Sequence, residues 1–226
     1  MRHTGGFTLV ELALALAVIG LLLGMLVVPL SAQVDQQRIS ETQKLLSLNI
    51  EASLGFAVAN GRLPCPATPA TASGAASAGL ENKPGAACGI TEGVLPWATL
   101  GVPETDAWGR RFTYRITPAL ADDPTGGLQA SFVLTDNGNI TVKATSGGAD
   151  IATNVAAMII SHGKNGLGAI QTTGVQVAGA AGDELENANA DTNFVSKLPD
   201  TAYDDLVAWV SPNVLKSRMV AANRLP

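Results

Sequence analysis

The sequence predicts an α+β chain in which a long N-terminal helix packs its outer half on an antiparallel β-sheet, with a loop-rich C-terminal region. Three observations predict it. Leu12 to Leu30 is a nearly unbroken apolar run, Gln33 to about Ala59 continues with apolar residues at helical spacing, and beyond Gly93 short alternating runs are separated by glycine, proline and asparagine turns.

The apolar run is about as long as a helix needs to cross a ~30 Å hydrocarbon core at ~1.5 Å per residue, so it reads as a membrane span. Arg2 is the one firm cation ahead of it and biases residues 1–6 toward the cytoplasm, which places the rest of the chain in the periplasm or outside the cell. Glu11 stands at the lip of the span. An acid at the centre of a membrane helix costs roughly 2.5–3.5 kcal/mol, and less near the interface, so a partner is expected. Cleavage after Gly6 supplies one: the new amine of Phe7 lies one helical turn from Glu11 and carries positive charge, with a reference pKa of about 7.7–8.0. The competing reading is a capping box, Thr8-x-x-Glu11, that only closes the first turn. A conventional secretory signal fits poorly, because the run exceeds ~7–15 residues and Leu30-Ser31-Ala32 is a poor cleavage site.

Beyond the span, Ile39, Leu46, Ile50 and Ala57 recur near helical spacing with Leu45, Leu54 and Phe56 beside them, while Asp35, Arg38, Glu41 and Lys44 mark the wet face. Pro29 removes one helical hydrogen bond and loosens the helix. Without a break there, Phe7 to Ala59 spans ~80 Å, and Asn60-Gly61 stops it. Arg62 to Gly93 is a Pro-, Ala-, Gly- and Ser-rich irregular loop holding both cysteines of the chain, Cys65 and Cys88. In an oxidising compartment two cysteines pair, and closing this loop stabilises by roughly 3 kcal/mol.

Phe112, Tyr114 and Ile116 alternate with Arg111, Thr113 and Arg115, as a half-buried strand requires, with Trp97 and Trp108 as lids on the core. Gln129–Leu134 and Ile140–Ala144 read as a hairpin across Asp136-Asn137-Gly138-Asn139. Asn154–Ser161 reads as a buried strand ending at His162-Gly163-Lys164-Asn165-Gly166. Residues 203–210 pack Leu206, Val207 and Trp209, and Ser211-Pro212 opens a last short helix through Ala222.

No chemistry of catalysis emerges. His162 has no Ser, Cys or acid at a recognisable spacing, so no catalytic residue is assigned. The acids Asp183, Glu184, Glu186, Asp191, Asp204 and Asp205 offer oxygens, but no Asp-x-Asp-x-Asp-Gly frame holds them, and neither a metal nor another cofactor is assigned. Net charge is −5, and −6 in side chains once Arg2 leaves, as Lys+Arg falls from 14 to 13 against 19 acids. A chain of this sign has no electrostatic case for gripping nucleic acid, and Arg110, Arg111 and Arg115 are its only close basic cluster.

The leader ending in Gly6, then Phe7-Thr8-Leu9-Val10-Glu11-Leu12 and an apolar helix, closely resembles the type IV pilin and type II secretion pseudopilin class. The resemblance implies a pilin-like fold and cleavage between Gly6 and Phe7 by prepilin peptidase, which methylates the new amine. It further implies that Glu11 guides assembly with other pilin or pseudopilin subunits into a filament. Asp106-Ala107-Trp108-Gly109 is similar to the Asp-Pro-Trp-Gly element of major pseudopilins, with Ala107 in place of proline. Residues 162–166 resemble the glycine-rich turn after their last central strand, and calcium binding in a C-terminal loop is a further property of that group. The expected organisation is a leader at 1–6, a membrane and filament-core helix at 7–30, its amphipathic continuation at 31–60, and a periplasmic or extracellular domain at 61–226. The expected function is a structural subunit, minor pilin or pseudopilin, anchored by a single pass in the bacterial inner membrane. The alternative from another class is a membrane-anchored periplasmic ligand-binding domain with no filament role.

Overall fold

The computed structural model describes Gly6, residues 8–124 and residues 129–225, with the backbone alone of 23–30. Phe7 and leader residues 1–5 lie outside this description, as do the side chains of the last third of the expected span, Pro29 among them. The chain divides into two units, Met1–Ser40 and Glu41–Pro226.

Helix α1 is continuous from Leu9 to Asn60, 52 residues, and the helical backbone runs through position 29. Its first unit exposes Leu9, Val10, Leu12, Leu14, Leu16, Val18, Ile19, Leu21 and Leu22. Among the described residues, no helix is long and apolar enough to cross a membrane. In the second unit one stripe of α1 is buried: Thr42, Leu46, Asn49, Ser53, Leu54 and Ala57. Half of that stripe is polar, which the hydrophobic spacing did not anticipate. Ser53 donates its hydroxyl to the Asn49 carbonyl at 2.8 Å, and Thr42 Oγ1 accepts the Ala107 N–H at 3.3 Å. Gly61 ends the helix as expected. Its φ is +75°, its N–H reaches the Ala57 carbonyl at 2.8 Å, and a Cβ there would sit 2.2 Å from the Gln129 carbonyl oxygen, so only glycine fits.

The second unit carries two sheets. The larger is antiparallel in the order β1-β2-β5-β7, built from Glu92–Val94, Thr113–Ile116, Ala157–Ser161 and Leu206–Val210. The smaller has the order β4-β3-β6, from Asp150–Val155, Ile140–Lys143 and Asn193–Val195. Its β3–β6 pair is parallel, a departure from the all-antiparallel expectation. Ile140, Val142 and Val155 of the smaller sheet, with Phe194, meet Met158 and Ile160 of β5 in one buried cluster. Strand β5 is buried at every position, so a sequence with no alternation is what its place between β2 and β7 demands. Short helices complete the unit: α2, Trp97–Leu100; α3, Gly182–Glu186; and α4, Pro212–Ala221, which starts after Ser211 with Pro212 in its first turn. The Ser211 side chain makes no capping hydrogen bond.

Two sequence expectations are corrected. Residues 129–134 form no strand: the Asp136 carboxylate accepts the Val133 N–H at 2.8 Å and holds a turn that leaves Val133 and Leu134 exposed. Strand β3 pairs instead with β4, across a turn at residues 144–149 where the Ala144 N–H reaches the Ala149 carbonyl. Gly138 is not a hairpin apex either. A Cβ there would lie 1.9 Å from the Val155 carbonyl oxygen, so glycine allows close crossing of backbones. The second correction concerns β2, which is buried on both faces rather than one. Arg111 is fully buried, bonded to Glu104 at 2.9 Å and lying over the Trp97 ring at 4.6 Å. Arg115 bonds Glu92 at 3.2 Å, and Arg110 donates to the carbonyls of Gly163 and Lys164. The three arginines therefore tie loops together and present no basic surface patch.

Candidate functional sites: the N-terminal helix and a buried acid cluster

At the N-terminus, Thr8 and Glu11 form the reciprocal capping box. The Thr8 N–H and hydroxyl both donate to Glu11 Oε2 at 2.9 Å, and Thr8 Oγ1 accepts the Glu11 N–H at 3.3 Å. The capping reading of Glu11 thus holds in the isolated chain. Thr8 uses only Oε2, so capping does not by itself exclude pairing of the carboxylate with an amine. Gly6 is exposed and its partner across the expected cleavage bond, Phe7, lies outside the described residues.

The two cysteines of the low-complexity loop are joined, Cys65 to Cys88, with Cα atoms 5.4 Å apart. The loop is also fastened by Arg62, which donates from two nitrogens to Glu81 at 2.8 and 2.9 Å and reaches Asp123 at 3.2 Å. Lys83 meets the same Asp123 at 2.7 Å. A stretch that lacks periodicity is therefore held by specific polar and covalent links.

The second site forms where the glycine turn after β5 meets the acid pair before β7. Asp106 anchors the region: its Oδ1 accepts the N–H groups of Trp108 and Arg110, and its Oδ2 accepts the Ser161 hydroxyl at 2.6 Å. This is how the Asp-Ala-Trp-Gly turn locks onto the end of β5 without a proline. Next in line, Gly163 has a φ of +56° and lies so close to Asp204 that a Cβ would be 2.2 Å from the Asp204 carbonyl oxygen. Asn165 donates its N–H to Asp204 Oδ2 at 2.8 Å and its amide to Glu184 Oε1 at 2.7 Å. Asn187 donates to Asp205 Oδ2 at 2.8 Å.

These bonds bring Glu184, Asp204 and Asp205 together, with one carboxylate oxygen from each within 4.8 Å of the others. Both Asp204 and Asp205 keep one buried carboxylate oxygen, Oδ1, for which the described residues supply no hydrogen bond of ordinary geometry. Burial raises the carboxyls of Glu184 and Asp204 above their ordinary range, and the neighbouring charge of Asp205 adds to it. His162, expected to be isolated, is not. It is fully buried, with Nε2 2.9 Å from Thr113 Oγ1 and Nδ1 3.5 Å from Asp205 Oδ1. The two residues are 43 positions apart in sequence, so no spacing rule joins them. Of the acids singled out by composition, Asp183 is engaged elsewhere, accepting the Ser146 N–H and pairing with Lys197.

Three carboxylate oxygens at this separation suit a hard divalent cation, whose oxygen ligands at about 2.3–2.6 Å lie no more than about 5 Å apart across it. The mutual repulsion of three carboxylates held this close is the structural reason to expect a positive partner there.

Among known proteins, residues 1–27 match the family described as prokaryotic N-terminal methylation motif. No curated protein and no solved structure matches the chain. The N-terminal segment of this chain is thus the type IV pilin/pseudopilin signal, followed by an α+β unit without a matched neighbour.

Proposed function

We propose that the chain is a structural subunit, a minor pilin or pseudopilin, of a type IV pilus or type II secretion filament. In this reading prepilin peptidase cuts between Gly6 and Phe7, and the mature helix assembles with other subunits after residing in the inner membrane. The observation that carries it is the methylation motif at 1–27, with the wholly exposed apolar surface from Leu9 to Leu22 that follows. Among the described residues, nine large apolar side chains from Leu9 to Leu22 stand exposed all round the helix and call for a partner. Lipid or neighbouring helices supply one. Thr8 bonds only Oε2 of Glu11, and Oε1 is the oxygen that would meet the amine of Phe7, in its own chain or the next. The test is the mature N-terminus by mass spectrometry, where methylated Phe7 is expected. An intact Met1 refutes processing and favours a simple anchored binding domain.

The meeting of Glu184, Asp204 and Asp205 oxygens extends this proposal to a divalent cation, calcium being the oxygen-preferring choice. Glu184, Asp204 and Asp205 would hold it, and Asn165 and Asn187 between them orient all three carboxylates. The bound charge would offset their mutual repulsion and fix the turn at 162–166 against the start of β7. No reaction is assigned to the protein.

A further inference from the structure

The last carbonyls of a helix lack partners within the helix and carry a partial negative charge. At the end of α1, Gly61 donates its N–H to the Ala57 carbonyl, and no basic residue stands in the last turn. Val58 and Ala59 find their donor 166 and 165 positions away in sequence. Arg224 donates from Nε to the Val58 carbonyl at 2.9 Å and from Nη2 to the Ala59 carbonyl at 2.6 Å.

The turn that ends α4 sets the direction of Arg224. Asn223 has a φ of +55° and donates its N–H to the Val220 carbonyl at 3.0 Å, while the Arg224 N–H reaches back to the Met219 carbonyl at 2.8 Å. These two bonds about a left-handed residue are the Schellman arrangement, in which asparagine can stand where glycine is usual. Leu215, Met219 and Leu225 are buried and hold α4 and its exit on the domain. Only Ser211 separates α4 from β7, so the turn lies one short helix beyond the large sheet.

We propose that residues 222–225 are a strap that fastens the end of α1 to β7 through α4, with Arg224 as the fastening group. Its guanidinium makes two charge-assisted bonds and sets a positive charge where the helix dipole is negative. The other cations nearby do not do this. Arg218 meets Glu51 at 3.2 Å, but both side chains are more than half exposed, and such a pair contributes little. Arg62, just past the helix stop, is spent on Glu81 and Asp123. The last turn of α1 is thus completed only when α4 has packed, and a disturbance there passes to β7 and, through strand pairing, to β5. The strap is independent of the filament reading, which the mature N-terminus tests.

Hydrogen–deuterium exchange of the detergent-solubilised full chain, read by mass spectrometry, tests it. Arg224→Met keeps an unbranched apolar stem and removes both donors. It should speed exchange of the amides at 57–61 by about tenfold or more, while the amides of β5 keep wild-type rates. Asn223→Val puts a β-branched residue at a positive φ and should give the same local change by misdirecting Arg224, whereas Asn223→Gly should preserve protection. Lys216→Met removes a cation of α4 that makes neither bond and should also leave 57–61 protected. Wild-type exchange at 57–61 in Arg224→Met, an equal rise there in Lys216→Met, or a rise in β5 as large as that at 57–61 overturns the proposal.

Discussion

Breaking the Cys65–Cys88 link should lower the melting temperature of the domain by roughly 7–14 °C. The closed loop has a sequence separation of 23, for which the chain-entropy relation gives about 3.4 kcal/mol. A folded unit of this size loses about 2–4 °C per kcal/mol, which sets the range. The native loop has other fastenings, so its folded form should survive reduction. Arg62 still reaches Glu81 and Asp123, and backbone bridges join Ala67 to Glu81 and to Val94. The loss therefore falls on the unfolded chain, whose freedom increases. The assay is thermal unfolding followed by circular dichroism, comparing the oxidised protein, the protein in reductant, and the Cys65→Ala, Cys88→Ala double variant. Reductant and double variant should agree within about 2 °C, since Cys65 is fully buried but alanine leaves only a small void. A drop below about 2 °C, or loss of the native far-ultraviolet spectrum at room temperature, refutes the reasoning.

The remaining predictions concern charge. Glu11→Ala should leave cleavage intact while lowering recovery in sheared filaments, and it should also fray the first turn of α1 through loss of the capping box. Unchanged recovery would count against pairing with the Phe7 amine. Gly6→Val should block processing, seen as slower gel mobility of the uncut chain; normal mobility argues against the peptidase. Calcium at about 100 times its dissociation constant should stabilise by roughly 2.7 kcal/mol, and Asp204→Asn with Asp205→Asn should remove the response. A melting temperature indifferent to chelator in the wild type removes the cation from the proposal. Asp123 is held below the usual carboxylate range by its hydrogen bond from Lys83, with burial opposing and the charges of Lys83 and Arg62 assisting. A depressed folded-state pKa gives stability that is complete above the unfolded value of about 3.9 and is lost as pH falls through the folded value. Asp123→Asn should therefore flatten the acid limb of stability below about pH 4, and an unaltered limb would contradict this.

What the sequence made legible was whatever depends on near neighbours. The helix stop at Asn60-Gly61, the capping pair Thr8 and Glu11, the proline at the start of α4 and the buried run of β5 each follow from residues within one or two turns of one another. The failures share a different cause. Asp136 looked like part of a hairpin turn because asparagine and glycine follow it, yet its carboxylate is spent backward on the Val133 N–H. The pattern at 111–116 suggested a wet face because it alternates with arginine, but Arg111 and Arg115 are matched by Glu104 and Glu92 from outside the strand. A long side chain with a distant acid can be interior, and alternation alone does not register the acid.

Composition singled out Glu184, Asp204 and Asp205, but their meeting was illegible for the same reason, since it depends on the 162–166 turn that resembled a family motif. Asp106 fixes Ser161, the end of β5 fixes Gly163, and the turn it begins delivers Asn165 to Glu184 and Asp204. These contacts run from the segment before β2 to the segment before β7. Glycine at 163 and asparagine at 165 are thus needed by partners about 40 residues away in sequence. Any ligand that steadied Asp204 and Asp205 would act on β7, and through it on β5, the strand on which both the large sheet and the shared core with the small sheet depend.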